Sequence, residues 1–290
     1  MTVSDDDLRS YEAWVGRQAV ATSVIAPESC DLMAATLDRD DPPYASGDPL
    51  PPMWSWMGFR PHARRSAIGD DGHPARGGFL PPVALPRRMF GGARYRFLAP
   101  LPCGEVITRT QTIASVSAKR GASGAMVVVT VAQSFSVDGV TRMEEEQDII
   151  YREAAKPGEA AAADPTPEAR PTAPWTETYH PDPVTLFRYS ALTFNGHRIH
   201  YDRKYAVETE GYPGLVVHGP LTASLLADLT RRHSGRTLFA AWEFRARRPL
   251  YDVDPIILCG TPDGDGVDLA AYDGSGRLSM TARATFESAL

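Results

Sequence analysis

A stretch rich in Ala, Pro and Glu, from Glu153 to Pro174 (EAAKPGEAAAADPTPEARPTAP), divides the chain, and the parts on either side repeat one order of patterns. Apolar periodicity is lost across it and its prolines favour extended backbone, so residues 153–174 read as a semi-extended linker. Residues 1–152 and 175–290 are each a plausible domain. The first part opens with Leu8, Tyr11, Trp14 and Val15 at helical spacing behind the capping run Ser4-Asp5-Asp6-Asp7. A second helix is expected from Glu28 to Leu37, then a long irregular region to about residue 87. Three β-like runs follow, Glu105–Ser117, Ala125–Phe135 and Val140–Arg152, with turn signals at Gly121–Gly124 and Asp138-Gly139. The second part has helical patterns at Thr185–Leu192 and Val217–Arg232, then β-like runs near 237–247, 255–261 with 266–272, and 277–287. Helix first and antiparallel strands afterwards, twice over, is an α+β arrangement.

Composition narrows the class. Hydrophobic residues at 43% and charged residues at 23% suit a globular chain. A net charge of -6 argues against a general nucleic-acid binder, which needs a basic balance. The acidic start MTVSDDDLRSYEAW lacks the basic and apolar regions of a signal peptide, and no apolar run reaches the ~18 residues of a membrane span. A cytoplasmic protein without membrane contact is expected. Cys30, Cys103 and Cys259 lie far apart without CxxC spacing, which favours reduced thiols and makes a structural metal site improbable.

The densest chemistry is Thr193-Phe194-Asn195-Gly196-His197-Arg198-Ile199-His200-Tyr201-Asp202. An apolar interior accepts so many polar groups only if each finds a partner. A lone histidine is more often structural than catalytic. Here the neutral imidazole of His200 can take a proton from water near pH 7, and His197 stands three residues before it. Asn195 cannot act as a base, but its amide can orient a water molecule. Asp202 is read as a cap for the helical run Arg203-Lys204-Tyr205-Ala206. The second constellation is Val216-Val217-His218-Gly219-Pro220-Leu221. Pro220 suits the start of a helix, and the Gly219 N–H at its positive end suits developing charge on a carbonyl oxygen.

The stretch FNGHRIHYD, followed by VVHGPLTASLL, resembles the MaoC-type enoyl-CoA hydratase/dehydratase superfamily. Within it the chain is similar to the branch of mesaconyl-C4-CoA and itaconyl-CoA hydratases and mitochondrial-type hydroxyacyl-thioester dehydratases. The superfamily pattern is Asp-x-Asn-Pro-apolar-His. Here Asn195 stands at the Asp position, His197 at the Asn position, Arg198 at the Pro position and His200 at the His position. These departures point to the branch, which itself carries SALTFN-x-H-x-IHYD. PPMWSWMGFRP and GGFLPPVALPRRMFGGARYRF extend the resemblance over nearly the whole chain.

The resemblance implies a double hot-dog, two curved antiparallel sheets each wrapping a central helix. The helix of the C-terminal unit would start at Gly219-Pro220. The N-terminal unit, without a His-rich motif, would have lost its own site and would help form the acyl pocket. The implied reaction is reversible addition of water to an α,β-unsaturated acyl-CoA, with no cofactor beyond the CoA of the substrate. His200 would move the water proton, Asn195 would hold the water, and Gly219 would bind the thioester oxygen, with His197 as a possible sharer of proton transfer. Mesaconyl-C4-CoA or itaconyl-CoA, each hydrated to citramalyl-CoA, carries a free carboxylate that an arginine can grip. Among Arg60, Arg64, Arg65, Arg87, Arg88 and Arg94, the expected partners are Arg88 and Arg94, with Trp54, Trp56 and Tyr189 in the pocket wall. The other readings are a dehydratase of linear 3-hydroxyacyl thioesters, a hot-dog thioesterase, which needs a carboxylate where Asn195 stands, and an acyl-CoA-binding protein without activity. A homodimer or higher homo-oligomer is expected by analogy.

Overall fold

The computed structural model describes residues 5–60, 62–74, 77–121, 124–153 and 172–287. Most of the linker therefore lies outside the described residues. Helix α1 is Asp5–Glu12 and α2 is Pro27–Thr36; strands β1 to β5 are Gln18–Val24, Arg87–Phe97, Val106–Gly121, Gly124–Val137 and Val140–Arg152. After the linker come β6, Trp175–Tyr179, then α3, Pro183–Thr193, and α4, Gly219–Ser234. Strands β7 to β10 are Ala241–Ala246, Ile256–Asp263, Gly266–Tyr272 and Leu278–Thr285.

Among the described residues all pairings are antiparallel, in one ten-stranded sheet of order β1-β3-β4-β5-β2-β7-β10-β9-β8-β6. Read from its two edges the order is the same, with each strand of the first half matched by the one five later. The halves meet where β2 pairs with β7, Gly92–Arg96 against Ala241–Arg245. A Cβ at Gly92 would meet the Phe244 carbonyl oxygen at 2.3 Å, so the join needs a glycine.

Period-two burial sets the inner face. Along β4, Val127, Val129, Val131, Phe135 and Val137 are buried while their neighbours are partly exposed. Helix α4 lies against β6, β8, β9 and β10, burying Leu221, Leu225, Leu226 and Leu229. Pro220 fits its first turn, and Gly235, left-handed at φ 69°, closes it by donating its N–H to Arg231 O.

The N-terminal half departs from the expected plan. Among the described residues it has no long central helix; α2 has ten residues and packs on α3 of the other half. Residues 37–86 instead carry short 3-10 turns at Trp54–Met57 and Arg65–Ala67. One hydrophobic cluster, including Ile25, Trp54, Leu186, Leu221 and Trp242, draws on both halves. None of the three cysteines forms a disulfide and all are buried, and folding brings Cys30 and Cys103 within 3.5 Å, sulfur to sulfur.

Candidate active site

The motif is a compact turn between α3 and α4. Phe194, left-handed at φ 52°, ends α3. Asn195 N donates to Ser190 O at 2.8 Å, and Asn195 Oδ1 accepts the His197 N–H at 3.0 Å. One acceptor position of Asn195 is thus spent on the turn, while its Nδ2 makes no hydrogen bond with a described residue. A 3-10 turn, Arg198–His200, follows. Asp202 accepts from Tyr205 N at 3.0 Å and from Arg198 Nη2 at 2.8 Å, which is the capping role expected of it.

His200 is buried, and its Nδ1 lies 2.7 Å from Val216 O. A carbonyl can only accept, so Nδ1 carries the proton and Nε2 is left as a free lone pair. His218 stacks on the His200 ring with centroids 3.7 Å apart, and its Nε2 lies 2.8 Å from Ser190 Oγ. Its Nδ1 is buried without a partner. His197 meets His200 edge-on at 5.4 Å. Burial holds all three rings neutral: His200 is pushed down to about 4 and His197, crowded by neighbouring imidazoles, to about 2. His218 is also held well below the usual range by burial.

Because these folded-state values are depressed, the unfolded chain binds more protons below about 6.5, where a free imidazole titrates. Stability is complete above that pH and is lost as pH falls toward about 4, the folded value of His200. The midpoint of urea unfolding should already drop between pH 7 and 5, above the range of ordinary carboxylates. An unchanged midpoint over that interval would contradict the assignment of buried neutral rings.

A fourth imidazole comes from the N-terminal half. Ile68–Pro74 forms a tight loop closed by a bridge between its ends and by Gly69 N donating to His73 O at 2.9 Å. It docks on the motif through backbone: Arg198 N donates to Asp71 O at 2.9 Å, and Arg198 Nη1 to Asp70 O at 3.0 Å. A Cβ at Gly72, whose φ is +89°, would stand 1.8 Å from Gly196 O. The docking sets the His73 ring 4.1 Å from that of His197. His73 Nδ1 lies 3.0 Å from Asp71 Oδ2, while the His73 N–H donates to Asp71 Oδ1 at 2.9 Å. This pairing holds the Asp71 carboxyl well below the usual range. No motif in the sequence singles out this loop; its one signal is a carboxylate and a histidine in the two-glycine turn Gly69-Asp70-Asp71-Gly72-His73. Asp71, His73 and His197 are also of metal-ligand type, with ligand atoms within 4.8 Å of one another. However, Asp71 already engages His73, and the cation of Arg88 acts on His197.

A cavity of about 1160 Å³ lies between the halves. Its wall includes Asn195, Tyr189 and Pro220 from one half and Trp56, His73 and Arg88 from the other. His197, His200 and Gly219 are not among its lining residues, although their chain neighbours are. A Cβ built on Gly219 meets nothing within 4 Å, so space lies open at the start of α4.

Two expected pocket residues stand elsewhere. Arg94 is exposed on the opposite face of β2, paired with Glu146 at 3.0 Å and Asp148 at 2.8 Å. The β2–β5 register shifts between Phe90 and Gly92, and this bulge sends Arg88 inward but Arg94 outward. Trp54 is 2% exposed, packs on Tyr44 under Arg39, and borders a separate cavity of about 330 Å³. Of the remaining arginines, Arg60 and Arg65 border the large cavity, and Arg64 and Arg87 do not.

The deep N-terminal wall of that cavity is polar. Glu145 accepts from Tyr95 Oη at 2.5 Å, Gln147 Nε2 at 2.6 Å, Gln133 Nε2 at 3.1 Å and Trp56 Nε1 at 3.3 Å. Burial raises its carboxyl despite these donors. Nearby, Arg109 lies over the Phe59 ring at 4.6 Å, with its Nε buried and unpartnered. Burial lowers this guanidinium to about 10.

The sheet order, the interface cavity and the histidine turn define a class. The sequence model for hydroxyacyl-thioester dehydratase type 2 matches residues 53–252, and the chain belongs to that family. It is a hydro-lyase of the hydratase/dehydratase type. The mesaconyl-C4-CoA hydratase of Chloroflexus aurantiacus is 45% identical over 274 residues, which cover 94% of this chain and 96% of that one. A MaoC-like dehydratase from Phytophthora capsici superposes with TM-score 0.71 at 14% identity, over 96% of this chain and 97% of that one. A Mycobacterium tuberculosis protein described as a double hotdog fold gives TM-score 0.53 at 14% identity, covering 93% and 95%. The fold is the double hot-dog.

Proposed function

We propose that the enzyme reversibly hydrates an unsaturated acyl-CoA bearing a free carboxylate, with mesaconyl-C4-CoA or itaconyl-CoA giving citramalyl-CoA. The observation that carries this reading is the near full-length 45% identity to a mesaconyl-C4-CoA hydratase. The cavity supports it with two arginines, Arg88 and Arg109, that make no ion pair with a described residue.

In the forward direction His200 Nε2 takes a proton as water attacks the β-carbon. Asn195, on the cavity wall, offers Nδ2 to place that water. The thioester oxygen gains negative charge, which the Gly219 N–H at the start of α4 stabilises. The neutral His197 and His218 rings pack against His200 and fix its plane. The scheme uses no cofactor beyond the substrate's own CoA.

The substrate class is tested by comparing kcat/KM for mesaconyl-C4-CoA, itaconyl-CoA and crotonyl-CoA. The carboxylated substrates should be preferred, and a clear preference for crotonyl-CoA would favour the linear-chain reading. Arg109→Met should lower kcat/KM for the carboxylated substrates by ~10–100-fold, the worth of a charge-assisted hydrogen bond, and leave crotonyl-CoA nearly unaffected. Equal losses on both would remove Arg109 as the carboxylate partner and leave Arg88.

No helix among the described residues is long and apolar enough to cross a membrane. Three thiols outside any disulfide support our placing of the enzyme in the cytoplasm. We place it there as a homodimer or higher homo-oligomer, which light scattering on the purified protein would test.

A further inference from the structure

We propose that His73, held by Asp71, is the second acid/base group of the hydration site and delivers the proton that the α-carbon gains. The inference rests on the hydration reading above. It addresses a gap in the motif, where Asn195 stands in place of an aspartate and leaves one imidazole to manage both ends of the double bond.

Four observations carry it. First, His73 is on the cavity wall, next to the motif residues, with 23% of its side chain exposed. Second, Asp71 engages Nδ1 at 3.0 Å, so that nitrogen carries a proton, and Nε2 makes no hydrogen bond with a described residue. A carboxylate behind an imidazole fixes its tautomer and stabilises the imidazolium that proton transfer requires. Third, the loop is seated by two bonds from Arg198 and by contact of Gly72 with Gly196, so the ring is held to a definite place across the interface. Fourth, His73 is in ring contact with His197, which in turn meets His200. His197 and His200 are held neutral by burial and cannot themselves donate a proton at neutral pH. His73 alone of these rings has a carboxylate partner.

A lone pair of the water oxygen forms the bond to the β-carbon while one O–H bond breaks toward His200 Nε2. The π pair of the double bond becomes the α-C–H bond, taking its proton from His73 Nε2. His200 then holds the extra proton and His73 lacks one. Transfer through solvent from His200 to His73 resets both, and the net change is addition of one water.

The test compares His73→Ala, His73→Gln and Asp71→Asn with the wild-type protein on mesaconyl-C4-CoA and crotonyl-CoA, with thermal melts to verify folding. Both His73 variants should lose ~100-fold in kcat with KM within about threefold, and added imidazole should restore part of the rate of His73→Ala. Asp71→Asn should lose ~10-fold or more in kcat. Glutamine can keep a hydrogen bond to Asp71 but cannot transfer a proton. Wild-type kcat in His73→Gln would therefore overturn the proposal and make the ring a structural bridge. A raised KM with unchanged kcat would overturn it too, as would one tightly bound zinc per chain held through His73 and His197. Absence of hydration by the wild-type protein would sink the functional reading, a result distinct from active variants of an active enzyme.

Discussion

His200→Ala should lower kcat by ~10²–10⁴-fold, the range a positioned general base supplies. The bond from Nδ1 to Val216 O, at 2.7 Å, leaves Nε2 as the basic atom, and the stacked His218 ring prevents rotation. Alanine removes the lone pair but leaves α4, the Gly219 N–H and the cavity wall in place. KM should therefore change little, while kcat and kcat/KM fall together. The wild-type enzyme should also lose kcat/KM on the acid side, around the value of about 4 to which burial lowers His200. Activity of the variant within threefold of wild type would remove His200 from the chemistry.

The second large effect is expected at Gly72, which lies outside the motif in sequence but packs against its Gly196. Replacement by alanine puts a Cβ 1.8 Å from Gly196 O, backbone against backbone, at a φ of +89° that side chains rarely adopt. No rotamer relieves that overlap, so the Ile68–Pro74 loop must lift from the motif. Lifting breaks the Arg198 N to Asp71 O bond and moves the Asp71–His73 pair. Displacement of about 1 Å at a reacting group can cost ~10²-fold, and a loss of that order in kcat is the expected result. Gly211→Ala is a control, since Gly211 also has positive φ but no atom within 4 Å of an added Cβ. Similar kinetics in both variants would show that the docking contact does not matter to turnover.

These two positions mark what was legible in the sequence. His200, Asn195 and Gly219 belong to short contiguous patterns, where residue type and spacing single out a candidate site and the family resemblance supplies the reaction. The helix at Gly219 and the strands β3 to β5 follow from plain periodicity. His73 was hidden because it reaches His197 only through folding, from the other half of the chain. Arg94 was misplaced because no strand was expected over Arg87–Phe97, and period two along it would still not reveal the bulge after Phe90, although Gly91-Gly92 was a hint of one. Glu145 looked like one acid in the run Glu144-Glu145-Glu146. Yet it shares the parity of Met143 and Tyr151, both buried, and that alternation could have turned it inward. Strands β1 and β6 escaped notice as edge strands with mostly polar or half-exposed residues, where burial leaves little apolar pattern.

The central claim is water addition to an enoyl thioester with the CoA bond left intact. Its most direct measurement follows the enoyl-thioester absorbance of mesaconyl-C4-CoA after adding the protein, with a thiol reagent reporting free CoA in the same sample. The account predicts loss of the absorbance without thiol release, and neither change with His200→Ala. Thiol release at the rate of absorbance loss would contradict it and make the protein a thioesterase.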